Sequence, residues 1–151
     1  MAVNVTASAN PAGSVLAFDF GTRRIGVAVG ETEVRVAHPL GTLANSRAGE
    51  HFERIAELIA AWQPVLLLVG LPTHADGTPH AMSARARGFA AQLRRRFRLP
   101  VAFGDERFTT REAAASLRAA SPSARIRKQA RDSVAAQIVL QDYLDAARLA
   151  P

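Results

Sequence analysis

Apolar and polar positions follow two different periods along this chain, and the change of period marks its elements. Ser14 to Phe20 (SVLAFDF) and Ile25 to Gly30 (IGVAVG) are short, nearly continuous apolar runs around GTRR, the pattern of a β-hairpin. Val34 to Leu43 (VRVAHPLGTL) predicts a third strand, which Pro39 assigns to an edge or an end. The period then lengthens. Phe52, Ile55, Ile59 and Trp62 recur at steps of three and four, which predicts a helix. Val65 to Gly70 (VLLLVG) reads as a strand covered on both faces.

Turn-forming residues fill LPTHADGTPH, with Asp76-Gly77 as a turn pair. Thr78 and Pro79 read as a cap and first position of a second helix, whose stripe is Met82, Ala86, Phe89, Leu93 and Phe97. VAFGDE predicts another strand. Thr109 with Glu112 makes a capping box for a helix to about Ala119. Ser121 to Lys128 (SPSARIRK) reads as a basic loop, and a last helix is expected from near Gln129 to about Arg148. Strands that alternate with helices after an antiparallel start predict an α/β fold, a mixed sheet with helices packed on it.

Composition narrows this picture. The 151 residues suit one domain, expected over 14–148 behind a flexible tail of residues 1–13. The tail has neither the basic start nor the apolar stretch of a signal peptide, and no run is long enough to span a membrane. There is no cysteine, which excludes disulfides and thiolate zinc sites. A cytoplasmic protein is expected. The net charge is +6 and the sequence pI about 11.3. Lys128 is the only lysine, so the cations are arginines, whose flat fork of donors suits phosphate oxygens. That balance points to a polyanion such as nucleic acid.

Acids stand at three places that could carry chemistry, two of them the strand ends where an open α/β sheet places its sites. Asp19 ends the first apolar run, Asp105-Glu106 end VAF, and Asp132 opens the last helix. Ala136, Val139 and Tyr143 follow Asp132 at four, seven and eleven residues, so it shares the inward stripe of that helix. Converging carboxylates repel one another unless a cation joins them. Magnesium or manganese takes such oxygens, and two ions about 4 Å apart clamp a phosphodiester and activate water. Arginines accompany each acid: Arg23 and Arg24 after Asp19, Arg107 after Glu106, and Arg125, Arg127, Lys128 and Arg131 before Asp132. They would draw phosphate toward the ions. Asp105 and Glu106 point to opposite faces of a strand, so one of them is the inward group. His38, His51, His74 and His80 lack the spacing of a metal site. LRRRFR (Leu93 to Arg98) reads most simply as a solvated helix face, with an RNA contact as the lesser reading.

Four segments in order resemble the YqgF family of ribonuclease H-like nucleases, described as Holliday junction resolvases and as pre-16S ribosomal RNA nucleases. They are FDFGTRRIGVAVG, VGLPTHADGT, DERFTTREA and KQARDSVAAQIVLQDYL, and the resemblance covers about Val15 to Leu144. It implies a five-stranded mixed sheet flanked by helices, with Asp19, Glu106 and Asp132 as catalytic carboxylates holding two magnesium or manganese ions. Glu106 rather than Asp105 is then the ligand. It also implies a nucleic-acid substrate, precursor ribosomal RNA or branched DNA, for a monomer or a homodimer. Two other readings share part of the pattern. DFGT with IGVAVG also resembles the phosphate hairpin of actin-like ATPases, and a non-catalytic RNA-binding assembly factor would carry the same basic charge.

Overall fold

The computed structural model describes residues 12–71, 81–105 and 124–149, excepting the side chains of 105, 124–132 and 147–149. Within them the order is β1 (Ser14–Phe20), β2 (Arg24–Glu31), β3 (Ala37–Ala44), α1 (Glu50–Trp62), β4 (Leu66–Leu71), α2 (Ser83–Phe97), β5 (Val101–Asp105) and α3 (Ala124–Leu149). The five strands form one mixed sheet in the order β3-β2-β1-β4-β5. β1, β4 and β5 run parallel, while β2 and β3 are antiparallel to their neighbours. The expected fold class is therefore the observed one.

Strand alternation divides the core into two layers. Leu16, Phe18, Ile25, Val27, Val29, Leu67 and Val69 face α1 and α2, where they meet Phe52, Ile55, Phe89 and Leu93. Val15, Ala17, Ala28, Leu66, Leu68 and Ala102 face α3, where they meet Ala136, Val139, Leu140 and Leu144. The second face is the flatter one because β2 and β5 put alanine and glycine on it. A helix can then lie close to the strands.

The β1–β2 hairpin turns on Gly21. Its N–H donates to Arg24 O at 2.9 Å, and a β-carbon there would stand 2.7 Å from that same oxygen. β3 lies at the sheet edge as Pro39 required, and the register shifts opposite Val27 and Ala28.

Two helix starts, and the exposure of one helix end, differ from what the pattern predicts. α3 starts at Ala124, inside the segment read as a basic loop. Its first residues, ARIRKQA, are good helix formers and nothing in them interrupts the backbone ladder. Their charge had hidden them. α2 starts at Ser83, where SARAR begins, rather than at Pro79; Thr78, Pro79 and the predicted helix from Thr109 to Ala119 lie outside the described residues. Trp62 closes α1 as predicted but is 43% exposed, so the buried stripe of that helix stops short of it.

Candidate active site

Asp19 belongs to the α3 face, in step with Val15 and Ala17, and is half-buried near the carboxyl end of β1. Its neighbours explain why a carboxylate has room there. Asp19 pairs with Gly26 of β2. The register that pairs Phe18 with Val69 makes Gly70 its neighbour on β4, and Gly70 pairs with Gly104 of β5. One carboxylate thus stands in a cross-sheet row with three glycines. Neither flanking strand sends a side chain up beside it.

The path of α3 follows from three contacts. Val139 lies over Gly104, in the Asp19 row. Leu140 and Leu144 lie over Gly30, which pairs with Val15 near the start of β1. The helix therefore descends from the carboxyl end of β1 toward its amino end. Asp132 precedes Val139 by two turns, about 10 Å along the axis, and so lies toward the edge where β1, β4 and β5 end. Strand spacing of about 4.8 Å puts the ends of β1 and β5 about 10 Å apart. β1, the terminus of β5 and the first half of α3 thus converge on one end of the sheet.

Side-chain amides hold α3 in that position. Gln141 Oε1 accepts the Ala37 N–H at 3.0 Å, and Gln137 Nε2 donates to Ala37 O at 3.1 Å. Gln141 Nε2 also donates to Arg35 O at 2.9 Å and to Asp145 Oδ1 at 3.1 Å. The beginning of β3, at the sheet edge, is gripped on both of its peptide groups.

Of the acids singled out, Asp19 is placed with its side chain, Asp105 ends β5, and Asp132 is placed within α3 by its backbone. Glu106 and Arg107 lie outside the described residues. Arg23 is exposed in the β1–β2 turn and Arg24 opens β2 half-buried. Arg127, Lys128 and Arg131 occupy the first turns of α3, which takes in the part of the expected loop that holds Arg127 and Lys128. Among the described residues no three His, Asp or Glu side chains gather around one point. The glycine row and the Gln137–Gln141 clamp were missed in the sequence. The glutamines had one signal, their spacing of four on the flank of an apolar stripe.

His51 is a further buried polar group that its spacing did not single out. It is 6% exposed at the start of α1, and its Nδ1 accepts the Ser46 N–H at 3.3 Å. Its ring centroid lies 4.3 Å from that of Phe52, and the Arg96 guanidinium lies 4.0 Å from the same Phe52 centroid. Burial, and then the nearby Arg96 charge, lowers the His51 pKa below its ordinary 6.5. Both effects favour the neutral imidazole over the charged one.

The sheet order and the helices on both faces define a ribonuclease H-like α/β domain. Solved structures agree on the fold: Thermus thermophilus RuvC bound to a Holliday junction substrate aligns over 91% of this chain and 97% of its own, with a TM-score of 0.55 at 16% identity. A second Thermus thermophilus RuvC structure gives a TM-score of 0.55 at 15% identity, over the same shares of both chains. The RuvX profile, described as "Holliday junction resolvase", matches residues 13–146, and the chain belongs to that family. A relative from Nitrosomonas europaea is 54% identical over 88% of this chain and 90% of its own length; one from Dechloromonas aromatica is 51% identical over 88% and 91%. Both are named "Putative pre-16S rRNA nuclease".

Proposed function

We propose that this protein is a metal-dependent endonuclease that hydrolyses phosphodiesters in structured nucleic acid, and that its substrate is precursor 16S ribosomal RNA, matured at the 5′ end. The observation that carries the reading is the Asp19 row. A carboxylate ends a parallel strand with bare backbone on both sides, on the sheet face crossed by the helix that bears Asp132. The relatives named above, half identical over most of their length, point to the ribosomal substrate. The family description favours branched DNA as the second reading.

The residues fit a hard divalent cation. Asp19 offers carboxylate oxygens, and the glycines beside it leave space for an ion that keeps part of its water shell. Asp19, Glu106 and Asp132 would hold magnesium or manganese. Such an ion supplies charge stabilisation for the phosphoryl oxygens and lowers the pKa of water. This chain's own part is to orient and to attract. β1 fixes the Asp19 carboxylate against the sheet. Arg23, at the tip of the adjacent turn, and Arg24 meet the phosphate backbone. Arg107 joins them after Glu106, and Arg127, Lys128 and Arg131 extend the basic surface along the start of α3.

The reading is tested with precursor 16S ribosomal RNA and a four-way DNA junction, each incubated with magnesium, manganese or chelator. Metal-dependent cutting of the RNA supports it. Cutting of the junction alone transfers the activity to branched DNA, and cutting that survives chelation removes the ion from the mechanism.

A further inference from the structure

The face of the sheet opposite Asp19 carries a second feature at the same end. A cleft of about 350 Å³ lies between the start of α1, one side of α2 and the tip of β1. Clefts of this size accommodate a small organic ligand. Its floor is aromatic: Phe20 stacks toward Phe89 with centroids 4.9 Å apart, and Phe52 lies beside them. Its rim is basic, formed by Arg47, Arg85 and Arg96. Asn45 and Gln92 add amides. Among the described residues no acid lines it. Glu50 and Glu53 of the first turn of α1 line the neighbouring groove instead. The amino end of α1 opens beside the cleft at Ala48 and Gly49 with no side-chain cap, adding the positive end of a helix dipole.

Gly88 supplies an independent sign that something enters. It lies in the middle of α2, where glycine destabilises a helix relative to alanine. Packing does not require it, because a β-carbon there would meet nothing within 4 Å. Gly88 lines the cleft midway between Arg85 and Gln92, on the stripe that ends at Arg96. A mid-helix glycine with open space above it, between Arg85 and Arg96 on one stripe, suits a ligand that lies directly on the helix backbone.

The cleft is also tied to the turn that follows Asp19. Asn45 Nδ2 donates to Gly21 O at 2.7 Å, and the Asn45 N–H donates to Arg23 O at 2.8 Å. Phe20, next in sequence to Asp19, points into the cleft while Asp19 belongs to the other face. A strand passing over the tip of β1 would touch both.

We propose that this cleft is a nucleotide-binding subsite for a single-stranded segment of nucleic acid, with a phosphodiester held between Arg85 and Arg96 over Gly88 and a base against Phe20. It is a site apart from the carboxylates, and it works without metal.

The test measures binding of a single-stranded RNA oligonucleotide to the full chain in chelator, together with thermal unfolding. Gly88→Ala is expected to raise the Tm by about 2–4 °C while weakening binding about tenfold. Arg85→Gln, on an exposed side chain, is expected to flatten the salt dependence by about 0.7 in log–log slope. Arg96→Gln also removes the contact with Phe52, so Gly88→Ala and Arg85→Gln are the deciding variants. Unchanged affinity in Gly88→Ala, or an unchanged slope in Arg85→Gln, overturns the proposal. Displacement of the oligonucleotide by inorganic phosphate as readily as by a nucleoside monophosphate also overturns it, marking a free-phosphate site. The readouts are binding and thermal unfolding, not cutting, so none of these results bears on the nuclease reading.

Discussion

A β-carbon placed on Gly104 of β5 would stand 2.5 Å from Val139 Cγ1 of α3, so the helix rests on the strand where the strand has no side chain. This contact fixes the height of α3 above the Asp19 row. Gly104→Ala must push Val139 aside in a closely packed layer that also holds Leu68 and Leu140. The expected cost is about 1–3 kcal/mol, the usual range for overpacking, read from denaturant midpoints. Val139→Ala should recover part of that loss in the double variant, because the two changes share one space. Simple additivity would show that the strand and helix yield independently.

Asp19→Asn keeps the shape of the side chain and removes its charge. An ion that lowers the barrier by about 4 kcal/mol corresponds to about a thousandfold in rate. Cutting is therefore expected to fall by about that factor, while affinity for the RNA in chelator stays within about threefold of wild type. Single-turnover rates and equilibrium binding check the two halves separately. A variant that cuts within tenfold of wild type would remove Asp19 from the reaction.

The central strands were legible because they are apolar enough to be recognised without context. Leu66 to Val69 are wholly buried, and a continuous run predicts that. Asp19 was conspicuous for the converse reason, as a carboxylate near the end of such a run, and the structure places it near the carboxyl end of β1. The beginning of α3 was not legible, because ARIRKQ has no apolar stripe there and a helix with many charges looks like a solvated loop. Gly26, Gly70 and Gly104 are scattered over seventy-eight positions, and only strand register brings them into one row. The cleft under Phe20 was hidden in the same way. Its walls come from β1, the β3–α1 connection and α2, none of which carries a motif by itself.

Gln141 is the side chain on which the seating of α3 against β3 most depends, since it bonds both Ala37 N–H and Arg35 O. Gln141→Leu preserves most of the volume and leaves the part-buried Ala37 amide without its acceptor. The expected loss is about 1–3 kcal/mol, the range for an unsatisfied buried group. Hydrogen exchange at Ala37 should accelerate more than exchange in β1 or β4. Equal acceleration throughout the sheet would mean that the variant has loosened the whole fold rather than the edge.

Arg127 and Lys128 lie in the first turns of α3, and the proposed function gives them to the phosphate backbone. Replacing both with glutamine, a good helix former, should leave the helix intact. Each lost phosphate contact flattens the slope of log affinity against log salt by about 0.7–0.9, so the double variant should lose about 1.5. Titration of RNA binding across salt concentrations measures this. An unchanged slope would place the backbone contacts elsewhere on the molecule.

His51 gives the fold a dependence on pH whose sign follows from its setting. Burial and the Arg96 charge lower its pKa in the folded protein below the ordinary 6.5. The unfolded chain therefore takes up the proton first as the pH falls. The stability that His51 contributes is complete above pH 6.5 and is lost progressively as the pH drops through the lowered folded value. Protonation also converts Nδ1 from the acceptor of the Ser46 N–H into a donor, so the turn before α1 loses its bond in the same range. His51→Asn keeps an acceptor at that position and cannot titrate. Its denaturation midpoint should lie below that of wild type at about pH 7.5, because the contact with Phe52 is lost, and the gap should narrow as the pH falls below 6.5. A gap that stays constant over this range would show that His51 has the same pKa in the folded and unfolded chain.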